Sequence, residues 1–240
     1  GNTNWYDKIF GTGTRTHHNI SASGGSERVK FFASLGYLKE DGNIDQFAYT
    51  RYNLRSNIDA KLTKSLTFQL GMSGRIEKRN SPVYSANPND WHNIPQQIIR
   101  ALPYAQATQV IDGQTYNVAT PTASSPVAPL ASIYDAGYGC SNYSYIQSNF
   151  SLKYDAPWLK GLSIKFQGAY DLTVNFAKEL GNHYQLALMS LPNAGTKELT
   201  YAKQYDSRST SIRLTESSSR AYTFTTQSSV NYDNKFGKHT

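Results

Sequence analysis

The sequence holds a single cysteine, Cys140, in 240 residues. One thiol excludes an intrachain disulfide framework, and it stands without the Cys and His neighbours of a metal site. No apolar run approaches the roughly 20 residues that a membrane-spanning helix requires, and the mean hydropathy is −0.56. This excludes a helical membrane protein only, because barrel strands alternate and average out polar. A basic cluster is missing too. The net charge is +7, but Lys and Arg are dispersed through strands and loops. The surplus therefore reads as solvated charge, and no nucleic-acid partner is expected. The opening "GNTNWYDKIF" lacks an initiator Met, a basic region and the apolar core of a targeting segment. The final "NKFGKHT" stops just after a turn pattern. Both ends are expected to be cuts in a longer chain.

Catalytic signatures are equally scarce. "GTGTRTHH" (11–18) has glycines but no following Lys and no strand–loop–helix setting, so it is no phosphate loop. His17 and His18 are adjacent, so on a strand they point to opposite faces and cannot share a metal. There is no G-x-S-x-G and no HExxH. Asp90 and His92 flank Trp91 without a positioned serine, and Asp90 has no second carboxylate for acid–base work. The expectation is a protein that is not an enzyme and uses no cofactor or metal.

What the sequence does have is alternation. Residues 51–59, "RYNLRSNID", set Tyr52, Leu54, Ser56 and Ile58 against Arg51, Asn53, Arg55, Asn57 and Asp59. Seven such segments are legible, at about 15–23, 28–39, 51–59, 66–77, 144–154, 162–174 and 220–232. Aromatic content of 13% suits such pleated, half-buried surfaces. Gly24-Gly25 is expected to supply a positive-φ hairpin turn. Residues 78–143 and 177–217 read as two long polar loops, the first with one short helix at "IPQQIIRAL" (94–102) and Pro95 in its first turn.

Loop lengths supply a second pattern. In chain order the connections run short, medium, short, very long, short, very long, short. In an up-and-down meander every short one then falls at one end and every longer one at the other. Outer-membrane barrels sort their loops this way, whereas a Greek-key sandwich has no reason to. The apolar face would then meet lipid and the polar face a wet lumen. A soluble β-rich binding or adhesin module predicts the same local alternation, and a passive porin predicts the same wall. Tyr154, Trp158 and Tyr232 at the short-turn end, with Tyr37, Tyr49 and Tyr52 near the other, suit two interfacial girdles.

"HNISASGGSERVKFFASLGYLKEDG" (18–42), with "NWYDKIF" before it and "RYNLRSNIDAKLTKSL" (51–66) after it, resembles the early barrel of SusC/RagA-type TonB-dependent outer-membrane transporters. The family's "SVSGGS-x-x-x-x-YY-x-S-x-GY" hairpin stands here as Ser21 to Tyr37, with Ala22 for Val and Phe31-Phe32 for the Tyr pair. "PYAQATQVIDGQTY" and "SSPVAPLASIYDAGY" resemble the first large extracellular loop, and "NYDNKFGKH" a periplasmic turn.

The resemblance implies an all-β, antiparallel up-and-down transmembrane barrel segment of about seven strands, part of a barrel of about 22 around a plug. Residues 1–240 would be a partial barrel domain in the bacterial outer membrane, lacking the plug and the remaining strands. It implies an importer of oligosaccharides or oligopeptides, working with a SusD-like surface lipoprotein and the TonB complex. The richest candidate binding cluster is Tyr84, Asn87, Asn89, Trp91, His92 and Asn93, amides beside stacking rings. The more ordinary role for Trp91 is to anchor the loop on its own short helix. Arg51, Asn53, Arg55, Asn57 and Arg75 are expected to face the lumen, where the arginines contact the plug or bias the channel toward anionic cargo.

Overall fold

The computed structural model describes residues 2–83, 94–123, 125–191, 195 and 198–234. Seven strands form one antiparallel sheet in the order β1-β2-β3-β4-β7-β8-β11. They are β1 (Thr14–Gly25), β2 (Val29–Asp41), β3 (Ala48–Lys61), β4 (Leu66–Pro82), β7 (Gly137–Asp155), β8 (Leu162–Gly181) and β11 (Arg213–Tyr232). Each pairs with its predecessor in this order, so the wall is an up-and-down meander. The fold class read from the alternation holds.

The strands are longer than the alternation indicated. β4 continues past residue 77 to Pro82, β7 begins at Gly137 rather than 144, and β11 begins at Arg213 rather than 220. The long connections are thus 83–136 and 182–212, not 78–143 and 177–217. The reason is physical. Beyond the apolar stretch both faces of these ribbons are polar, so the period-two signal disappears while the hydrogen-bonded ladder goes on.

Gly24 and Gly25 also differ from expectation. Neither has positive φ. They are ladder residues opposite Phe31 and Lys30, and Ser26 makes the turn by accepting the N–H groups of Arg28 and Val29 on its Oγ. A Cβ on Gly24 would lie 3.0 Å from the Phe31 ring, and one on Gly25 2.5 Å from the Val29 carbonyl oxygen. Close approach, not turn geometry, explains these two glycines.

The wall has no apolar core of its own. Its hydrophobic face is exposed: Leu35, Tyr52, Leu54, Met72, Ile76, Ile146, Phe166, Tyr222 and Phe224 are all open, Leu54 to 56% and Tyr222 to 69%. On β2, β4 and β8 this apolar run stops at a lysine on the same face, at Lys39, Lys78 and Lys178 respectively. On β4 the run from Leu66 to Ile76 is about 34 Å of strand, or roughly 24 Å of height at a tilt near 45°, against the ~25 Å apolar band of outer-membrane barrels. The run on β2 is shorter and that on β8 longer, so the two bracket this height.

The long connections are not structureless. They hold α2 (Ile94–Arg100), β5 (Thr108–Ile111), β6 (Gln114–Ala119), α3 (Pro129–Tyr134), β9 (Gln185–Ser190) and β10 (Thr200–Tyr205). The strands form a second sheet, β10-β9-β6-β5, to which both connections contribute. β5 and β6 are joined by Asp112-Gly113, both at positive φ (52° and 76°), the demand that makes Asp-Gly a favoured two-residue hairpin turn. The two connections are zipped by a short parallel pairing, Val118 with Ala187 and Ala119 with Leu188.

Around this sheet lies the core. Ile94, Val118, Val127, Ile133, Ala187 and Met189 are essentially buried, and Trp5 and Ile9 of α1 (Trp5–Ile9) pack into the same cluster. Trp5 Nε1 donates to the Leu102 carbonyl at 2.9 Å, so the segment before the wall is tied to the first connection. Among the described residues no helix is long and apolar enough to cross a membrane.

Candidate substrate-facing wall and mouth

Alternation puts Arg51, Asn53, Arg55 and Asn57 on one face of β3, and register sets Glu77, Arg75, Ser73 and Gly71 of β4 opposite them in turn. All five residues expected to face a lumen therefore share the polar face. They line shallow grooves on it: Asn53, Arg55, Arg75, Tyr145, Gln147 and Asp171 border one of about 360 Å³, and Arg55, Asn57, Gln147 and Asn149 part of the next, about 540 Å³. Below them Gln69, Gln167 and Gln227 continue an amide-rich surface.

Above them is the densest charge on the wall. Glu77 is 4% exposed and is bound from both sides along its own strand, by Arg75 Nε at 2.9 Å and by Arg79 at 3.0 Å. The i±2 spacing in "RIEKR" delivers this, because residues two apart on a strand share a face. The guanidiniums are braced by rings from neighbouring strands: Arg75 lies 4.3 Å over Tyr145, and Arg79 5.5 Å over Tyr49 and 5.4 Å over Tyr143. Such stacking holds a cation without neutralising it. Tyr49 is thus a polar-face residue, not the girdle aromatic that its position near the strand end suggested. Tyr37 and Tyr52 do lie on the apolar face, with ring centroids 5.2 Å apart.

Beside Arg79 and Tyr49 opens a groove of about 740 Å³, bordered by β2, β3, β4, β7, β8 and β11 at their long-connection ends. Its size falls in the range of small-molecule sites. Ser81, Ser141, Ser217 and Thr215 offer hydroxyls to it. Its flanking acids are paired: Glu40 with Arg15 at 3.0 Å and Glu179 with Arg213 at 2.6 Å.

The platform built by the long connections carries its own electrostatics. Asp206 is buried, which disfavours its charge, but Arg208 at 2.5 Å and the Tyr184 hydroxyl outweigh that burial and hold its carboxyl below the ordinary 3.8. Asp135 goes the other way: burial raises it, against a hydrogen bond from Asn117 at 2.7 Å. Burial, with a hydrogen bond to Asp45, pushes the Tyr134 hydroxyl to about 12. Gln97, fully buried, accepts from Ser132 Oγ at 2.9 Å and from the Ala128 N–H at 3.2 Å, tying α2 to α3. The cluster Tyr84, Asn87, Asn89, Trp91, His92 and Asn93 lies outside the described residues.

Sequence reasoning found Arg51 and Arg75 but gave no weight to Glu77, Arg79, Tyr143 and Tyr145. "RIEKR" was the available signal for the first two. The tyrosines are brought in by register alone, from a strand about sixty residues away.

No protein-family model matches the chain. Stretches of it are similar to TonB-dependent receptor P3 of Formosa agariphila, 33% identical over 73 residues, and to SusC of Bacteroides thetaiotaomicron, 33% identical over 57. These stretches cover 30% and 24% of this chain and only 7% and 6% of the respective receptors. In fold, 94% of the chain superposes on 23% of a chain of the RagAB peptide importer in its open-open state, with a TM-score of 0.56 at 20% identity. The chain is thus similar in fold to a segment of a RagA-type barrel and, over short stretches of sequence, to SusC and other TonB-dependent receptors. The Arg–Glu–Tyr cluster lies on the face opposite the exposed Leu, Ile, Phe and Tyr side chains, with the 740 Å³ groove at the long-connection end of that face.

Proposed function

We propose that this chain is the early wall and outer-loop platform of an outer-membrane importer. It takes up oligosaccharides or oligopeptides together with a SusD-like surface lipoprotein, and TonB supplies the energy. One observation carries the reading: a seven-stranded sheet whose large hydrophobic side chains are exposed on one face and whose other face is charged and amide-rich. In water such a face would drive aggregation, whereas in hydrocarbon it is the stable arrangement. The similarity to TonB-dependent receptors supports active uptake, and that to a peptide importer supports an oligomeric cargo.

The test is growth or labelled-cargo uptake by cells carrying the complete receptor, with and without functional TonB. Uptake should fall to background without TonB. Uptake that persists would instead indicate a passive pore. A water-soluble, monomeric receptor recovered without detergent would overturn the membrane assignment itself.

A further inference from the structure

The ion pairs on the wall mostly match one cation to one anion: Arg15 with Glu40, Lys153 with Asp155, Arg213 with Glu179. Around Glu77 the ratio changes. Arg75 and Arg79 already occupy both of its carboxylate oxygens, and Arg51 sits directly opposite it on β3. The Nε of Arg51 is buried and has no hydrogen-bond partner among the described residues. Two guanidiniums thus share one carboxylate, and a third arginine stands across the ladder from it, so three positive charges meet one negative charge in this part of the wall. A buried guanidinium N–H without an acceptor is costly, so the position favours an incoming anion. Tyr49, Tyr143 and Tyr145 fix the forks of Arg75 and Arg79 without discharging them, and the 740 Å³ groove opens beside Arg79.

From this we infer that Arg51, with Arg79, forms a subsite for a carboxylate carried by the cargo, at the mouth of the inner wall. The inference rests on the import reading for its biological meaning but not for its chemistry. A carboxylate is the fitting ligand because a guanidinium fork binds its two oxygens in parallel, a geometry that an ammonium cannot reproduce. The tyrosine faces beside the forks add a stacking surface for the sugar ring or peptide unit that bears the acid. An acidic oligosaccharide and an acidic peptide both supply this group.

The experiment uses the complete receptor, purified in detergent, and isothermal titration with two matched pairs of probes: trigalacturonate and its methyl ester, triglutamate and triglutamine. In at least one pair the acid should bind at least tenfold more tightly than its neutral counterpart, and the pair that does so identifies the source of the carboxylate. Arg51→Gln should cut that acid-to-neutral ratio at least fivefold, Arg51→Lys by less, and Lys153→Gln, at the far end of β7, should leave it unchanged. Equal affinity within both pairs would overturn the subsite. So would a ratio indifferent to Arg51→Gln; if that variant instead lowered the melting temperature by several degrees, Arg51 would belong to an internal wall contact. Because titration needs no TonB, a subsite confirmed here alongside TonB-independent uptake would sink the import reading alone.

Discussion

The wall and the platform are made of one chain and solve opposite problems. In the platform Ile94, Val118, Val127, Ile133 and Met189 are hidden and the buried Asp206 is paired with Arg208, as water demands. In the wall Leu54, Phe166, Tyr222 and Phe224 are outside, and the charged groups gather on the other face. The wall's strands satisfy every neighbour by hydrogen-bonded register, so its order comes from the ladder and from the surrounding solvent, not from a packed interior. The contrast teaches that burial alone is a poor guide to where a protein's hydrophobic energy acts. The medium decides.

The sharpest way to break the comparison is to remove a core residue from the platform. Ile133→Ala should destabilise that unit by about 2–5 kcal/mol and Trp5→Ala by about 3–5 kcal/mol. Hydrogen exchange in β5, β6, β9 and β10 should speed by orders of magnitude while β3, β4 and β8 stay protected. Loss of protection across the wall as well would show that the two regions fold as one.

Next in size is a charge placed on the outer face. Leu54→Arg lies mid-run, opposite Leu35 and Gly74, and should cost about 2–4 kcal/mol, whereas Ile76→Arg, beside Lys78, should cost about 0–1. Unfolding of the complete receptor in lipid vesicles measures both. Equal costs would mean that this face does not sample bilayer depth.

Smaller again is Gln97→Ala, which deprives the Ala128 N–H and Ser132 hydroxyl of their acceptor and should cost about 1–3 kcal/mol, confined to the platform. Smallest is a pH effect at Asp206. Its carboxyl is held below the ordinary 3.8, so its contribution is present above that value and fades as pH falls through the lower folded value. Loop proteolysis should therefore rise on acidification below about pH 4, and Asp206→Asn should remove that dependence.

Much of the wall was legible because each ribbon has one apolar and one polar face, which imprints period two directly on the sequence. Leu66 to Ile76 shows this without ambiguity. Above the apolar run both faces are wet, so the ends of β4, β7 and β11 left no trace in hydropathy. The platform was illegible for a different reason. "QLALMS" (β9) is buried on both faces and reads as a plain apolar run, and its partner β6 is some seventy residues away. Only Asp112-Gly113 announced a hairpin locally. In the candidate site, alternation placed Arg51 and Arg75 together on the polar face. The tyrosine faces that brace Arg75 and Arg79 depend on strand order, which no local pattern encodes.

The two-rung parallel seam at Val118–Ala187 and Ala119–Leu188 has a mechanical meaning. Because it joins segments rooted at different places on the rim, neither can swing without dragging the other. Trp5 extends the linkage to the stretch ahead of β1. Three stretches far apart in the chain are thereby fastened to one another at the same end of the sheet.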